Sequence, residues 1–214
     1  EDLPVPRYLA IDWDKDELRY VSADIAGRKV KVRATGTIPL EETAHDGPLR
    51  VDWGEALAAE VKARKLGRSK LLIGVPRASV ELLHLTLPPA RDEELPELVA
   101  NQAISVSQAV DDRWALDFLA TSDDPSLPRE ITAVAISPDT LEEINQQAAA
   151  AGFKPERMLF RPLAAASLFR RLDAGQSPCC LLINRTGCEA DLDVLKEGKT
   201  VLSRTVRLPV GTAH

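Results

Sequence analysis

Three short strands in succession, followed by a helix and a strand that is apolar on both faces, limit what this chain can fold into. "YLAIDW", "LRYVSADI" and "VKVRATGTIPL" run from Tyr8 to Pro39, separated by "DKDE" and "AGRK", and this alternation predicts an antiparallel meander. "DWGEALAAEVKARKLG" follows, with Ala56, Leu57, Val61 and Leu66 near helical spacing, Asp52 as N-cap and Gly67 as stop. "KLLIGVP" then reads as a central strand. Together these elements predict a mixed α/β sheet rather than a purely parallel one.

A smaller unit comes next. "VELLHLTLPP" alternates as a strand, "ARDEELPELVANQAISV" carries Leu95, Leu98, Val99, Gln102 and Ile104 on a helix, and "RWALDFLATS" and "REITAVAIS" add two strands. "SPDTLEEINQQAAAAGFKP" is the clearest helix, with Pro138 in its first turn and Gly152 as its stop. "RPLAAASLFRRLDAG" predicts another, with Leu163, Ala166, Leu168 and Phe169 facing inward. "SPCCLLINRTGCEADLDVLKEGKTVLSRTVRLPVG" closes as a second three-stranded meander. A terminal meander with uncovered edges suggests that the natural chain continues. "SDDPSLP", at 122–128, carries the strongest loop chemistry.

Composition removes several function classes. A net charge of −6 repels polyanions, so nucleic acid is a poor partner. No apolar run approaches the ~20 residues of a membrane span, and "EDLPVPR" does not open a signal peptide. The chain therefore reads as soluble and cytoplasmic. Cys179, Cys180 and Cys188 lack zinc spacing and are expected to be buried structural thiols in a reducing compartment. His84 and His45 have no Ser or Cys motif beside them. The basic run "KARKLGRSK" reads as a solvated helix end.

In their order, "LAIDWDKDELRYV", "LLIGVPRASVELLHLTLPP", "DEELPELVANQA", "WALDFLA", the stretch Ile131 to Leu172 and "CCLLINRTGCEADLDVLKEGKTVLSRTVRLPVG" resemble the PilM family. These are actin-like cytoplasmic proteins of type IV pilus assembly, related to GspL and FtsA. The resemblance implies an actin-like (RNase H-like) mixed sheet with an inserted strand-helix-strand-strand subdomain and a truncated second lobe. The first lobe would be 1–74 with 161–177, the insertion 75–160, and the start of the second lobe 178–214.

Such folds hold phosphate between two hairpins, where glycine lets backbone N–H groups approach the anion and hydroxyls complete the cradle. Here Asp12 is kept, but Asp14 stands where the family has Gly, and Lys15, Asp16 and Glu17 replace hydroxyls. In the second hairpin Asn184 takes the place of an Asp, Thr186 that of the Gly, and Glu189 and Ala190 those of hydroxyls. At ~4 Å each like-charge contact with a triphosphate costs about 1 to 4 kcal/mol. Degenerate phosphate loops, no bound cofactor and no enzymatic activity are the expectation.

An EF-hand reading of Asp12, Asp14 and Asp16 fails, because Glu17 holds the sixth position and Ala23 the twelfth. Two enzyme alternatives stay open: an active actin-like ATPase, and an RNase H-like nuclease using Asp12, Glu81 and Asp191. The leading expectation is an adaptor of a type IV pilus or type II secretion platform, peripheral to the inner membrane. It would bind a cytoplasmic peptide of a bitopic inner-membrane protein, with Arg77, Leu83, Leu95, Leu98 and Gln102 lining the groove. Self-association is left open.

Overall fold

Alternating burial along the first three strands decides how the sheet begins. β1 (Arg7–Trp13), β2 (Glu17–Ala26) and β3 (Lys29–Pro39) pair antiparallel, with Leu9, Ile11, Leu18 and Tyr20 turned to the inner face. This computed structural model describes residues 5–40, 42–43, 50–120, 124–171, 178–187, 189–197 and 199–208. His45 and Cys188 lie outside them, as does the first part of the 122–128 loop. A two-residue ladder of β4 (Glu42–Thr43) and β5 (Arg50–Val51) follows, which the sequence pattern did not reveal.

Helix α1 (Trp53–Arg64) buries Trp53 and Leu57. Its expected signals differ at both ends. The Asp52 side chain makes no capping bond, and the left-handed residue that stops the helix is Lys65, at φ 57°, rather than Gly67. β6 (Lys70–Val75) then runs parallel to β1 on one side and to β10 (Pro155–Phe160) on the other. Among the described residues this gives a five-stranded mixed sheet ordered β10-β6-β1-β2-β3, with β6 interior as its apolar faces require.

The insertion keeps its expected order: β7 (Glu81–Leu87), α2 (Leu95–Val106), β8 (Ala115–Ala120) and β9 (Arg129–Ile136). Its antiparallel sheet, β7-β9-β8, packs on α2 around Leu85, Leu95, Val99, Ala103 and Ala133. The expected limit at residue 160 overshoots. Helix α3 (Pro138–Ala150) puts Ile144 and Ala148 into the core of the first sheet, and β10 is hydrogen-bonded to β6. α3 lies close against α1, because a Cβ on Gly54 would stand 2.6 Å from the Gln147 carbonyl oxygen. Ser137 caps α3 by accepting from the Thr140 N–H at 3.2 Å, and Gly152 follows it at φ +80°.

α4 (Arg161–Arg171) leads to β11 (Cys179–Thr186), β12 (Glu189–Lys196) and β13 (Lys199–Arg207), an antiparallel meander. Its inner face is rich in polar groups: Thr186, Asp191, Asp193, Thr200 and Ser203 are buried there beside Leu195. Its outer face exposes Leu181, Ile183, Leu202 and Val206. Cys179 is exposed and Cys180 half-buried, so neither is the buried thiol expected. Among the described residues no helix is long and apolar enough to cross a membrane.

Candidate functional site

The two hairpins singled out by the sequence meet tip to tip. Asp14 begins the β1–β2 turn, and its Oδ1 accepts from the N–H groups of Asp16 at 2.8 Å and Glu17 at 3.0 Å. Its Oδ2 takes Arg19 Nη1 at 2.8 Å, and the side chain is fully buried. Burial by itself would raise the Asp14 carboxyl; Arg19 and the two amides outweigh it and hold the group below the usual carboxylate range. Across the gap Gly187, at φ +52°, lies so close that a Cβ there would stand 2.7 Å from Asp14 Oδ2. The Asp14 carboxylate thus fills the amide cradle of its own hairpin and abuts the other.

Arg161, the first residue of α4, joins the strands behind these tips. Its Nε donates to Asp191 Oδ2 at 2.8 Å, and its Nη1 donates to Asp12 Oδ1 at 3.1 Å and to the Trp13 carbonyl at 3.3 Å. Thr205 completes Asp191 by donating to Oδ1 at 2.7 Å. Arg161 is 5% exposed and Asp191 0%, so water screens this pair little. Burial pulls the guanidinium pKa down, but Asp191 and Asp12 together raise it, so the group stays charged. Asp12 has a second cation in Arg19, at 3.5 Å.

One residue nearby is poorly served. Asp193 is buried with neither carboxylate oxygen hydrogen-bonded. Burial raises its pKa, Asp191 adds to the rise, and Ser203, Arg161 and Arg77 only oppose it. The other singled-out positions stand at the margins. Asp16 is exposed, Asn184 is half-buried opposite Asp191 in the ladder, Thr186 is buried with its hydroxyl unpartnered, and Glu189 reaches Arg207 at 3.9 Å. Among the described residues no group of three or more His, Cys, Asp or Glu could hold a metal, and Glu81 sits on β7 in the insertion. At these hairpins the Asp16 and Glu17 amides are taken by Asp14, which Gly187 abuts, while Arg19 and Arg161 pair with aspartates but each keeps a buried Nη2 without a hydrogen-bond partner.

Elsewhere an apolar groove of about 810 Å³ separates the insertion from β10 and α4. Leu116, Phe118, Ile136, Met158, Leu163 and Leu168 are among its walls, and Asp117 and Arg171 also line it. Leu168 was expected to face inward; it is 59% exposed because it points to the groove. Successive residues of a strand point to opposite faces. Consecutive lining residues, Ala115 to Leu119 on β8 and Met158 to Phe160 on β10, therefore mean that both strand edges open here. β8 and β10 are outermost in their sheets among the described residues.

None of the five nominated groove residues lines this space. Leu95 is core of the insertion, Leu83 and Leu98 pack against that core, and Gln102 is half-buried on α2. Arg77 sits in the 3-10 turn after β6 and donates to the Val80 carbonyl at 3.0 Å. Sequence reasoning missed Arg161, Phe118 and the whole of β10. A legible signal existed for Arg161, since a cation in the first turn of a helix opposes the dipole and needs a specific anion to hold it.

No protein-family model matches the sequence, and no curated protein does. Solved structures do match. A chain of the PilM-PilN type IV pilus biogenesis complex superposes with a TM-score of 0.75 over 95% of this chain, at 18% identity. The cytoplasmic domain of EpsL, an inner membrane component of the type II secretion system of Vibrio cholerae, superposes with a TM-score of 0.64 over 94% of this chain, at 15% identity. The fold is thus actin-like, a mixed sheet with an inserted subdomain. Within that class it is the fold of the PilM-like and EpsL-like proteins, as the motifs had suggested. This chain spans 62% of the matched chain of the PilM-PilN complex and 71% of the EpsL domain.

Proposed function

We propose that this protein is an adaptor at the cytoplasmic side of an inner-membrane platform of the type IV pilus or type II secretion kind, working without nucleotide. The groove would take an extended, apolar-rich cytoplasmic segment of a bitopic membrane partner. One observation carries the reading: two open strand edges flank an apolar groove, the arrangement in which an added strand gains main-chain bonds from an edge and side-chain pockets from the walls. The fold likeness to the PilM-PilN complex and to EpsL supports the setting, and the self-filled hairpin junction supports the absence of phosphate chemistry.

The test uses a panel of fluorescent peptides covering the cytoplasmic segments of single-span membrane proteins from the same genome. Anisotropy should report saturable binding that Phe118→Asp and Leu168→Asp each weaken at least about tenfold, a cost of about 1.4 kcal/mol. Binding that ignores both changes refutes the groove, and micromolar binding of magnesium-ATP by calorimetry refutes the nucleotide-free reading.

A further inference from the structure

A second cavity, of about 450 Å³, opens between the 3-10 turn of the insertion, β7 and β13. Its lining includes Arg77, His84, Ser203, Arg204 and Thr205, with Ala78, Leu82 and Leu202 as apolar wall. No residue of either hairpin tip takes part. The size falls within the range of small-molecule sites.

Two arginines face this cavity. The chain as a whole carries −6, yet among the described residues neither Arg77 nor Arg204 lies within ion-pair distance of a carboxylate. Arg77 is held in place by carbonyls, its Nη1 on Val80 at 3.0 Å and its Nε on Ser203 at 3.4 Å, which leaves Nη2 for another acceptor. Arg204 is exposed beside it. Ser203 is 3% exposed, and its hydroxyl stands opposite Asp193 in the ladder, the carboxylate it acts on. The carboxylates behind β13 are Asp193, opposite Ser203 in the ladder and within the field of Arg77, and Asp191, which Arg161 and Thr205 already satisfy. A fixed guanidinium and a second one at the mouth are the donors with which proteins grip a carboxylate or phosphate.

We propose that this cavity binds a small, multiply charged oxyanion, with Arg77 as the fixed donor and Arg204 as the gate-side donor. The proposal is independent of the groove and of its partner. The probes are pyrophosphate and citrate, titrated separately into the full chain by calorimetry. At least one should bind with a submillimolar Kd. Arg204→Gln should weaken it at least tenfold and Arg77→Gln abolish it, while circular dichroism stays native. Raising the salt from about 50 to about 300 mM should weaken binding as well, because the Debye length shortens. A response to pyrophosphate alone assigns a phosphate ligand, and a response to citrate alone a polycarboxylate. Binding of neither probe overturns the site, as does binding that Arg204→Gln leaves unchanged. Because Arg77 also supports the backbone, the exposed Arg204 decides the outcome if Arg77→Gln does not fold.

Discussion

Replacing Arg161 with methionine tests the central ion cluster most directly. The substitution keeps much of the side-chain volume but removes both donors, leaving Asp191 at 0% exposure with only Thr205 as partner. Breaking a buried pair from one side costs about 3 to 5 kcal/mol, because the remaining charge is stranded. The Asp12 contact adds little to this: its carboxylate is 29% exposed and keeps Arg19. For a domain of this size each kcal/mol moves Tm by about 2 to 4 °C, so calorimetry should record a fall of about 6 to 20 °C. The double variant Arg161→Met with Asp191→Asn should recover most of that loss, since no buried charge is then left unpaired. Arg161→Lys should fall between wild type and Arg161→Met, because one ammonium cannot span both carboxylates as the fork does. A single variant that loses less than about 1 kcal/mol, or a double variant no better than the single, refutes the claim that Arg161 couples β1 to β12.

Three further outcomes follow from the same residues. Gly187→Ala should destabilise by about 1 to 3 kcal/mol in urea unfolding, since it meets both an unfavourable φ and the Asp14 carboxylate; adding Asp14→Ala should relieve only the second. For Asp193 the folded pKa is raised, so its contribution is fully present below the unfolded pKa and is lost as pH rises through the folded one. Asp193→Asn should therefore raise Tm at neutral pH and change little in acid, and an equal shift at both would exclude the titration. Asp14→Ala leaves two amides without an acceptor and Arg19 with Glu17 and Asp12 alone, so sulfate or formate should raise the Tm of the variant more than that of wild type.

What was legible follows from which forces act locally. Alternation and turn chemistry exposed the two meanders, and α3 announced itself through Ser137, Pro138 and Gly152, because caps and glycine stops act within a few residues. β10 was hidden because "PERMLF" begins with proline and charge, which a strand tolerates at a sheet margin, and only its pairing with β6 makes it a strand. The terminal meander misleads a hydrophobic reading altogether. Its apolar Leu181, Ile183 and Leu202 face outward while Asp191 and Asp193 are buried. The burial of Asp191 is matched by Arg161, 30 residues away in sequence, so no local pattern could announce it. The groove has the same origin, since its walls come from β8, β9, β10, α3 and α4, and only the assembled fold brings them together.

The charged turn at Asp14 to Glu17 is then more than a loss of glycine. A phosphate-binding hairpin works by leaving backbone N–H groups and a nearby cation unsatisfied until the anion arrives. Here Asp14 supplies the anion to those amides from within the turn, Arg19 pairs with it, and Arg161 pairs with the strand aspartates Asp12 and Asp191. An incoming anion would have to displace Asp14 from those amides, although Arg19 Nη2, Arg161 Nη2 and the Thr186 hydroxyl beside them have no hydrogen-bond partner. The same arrangement ties the first sheet, α4 and the terminal meander into one cluster.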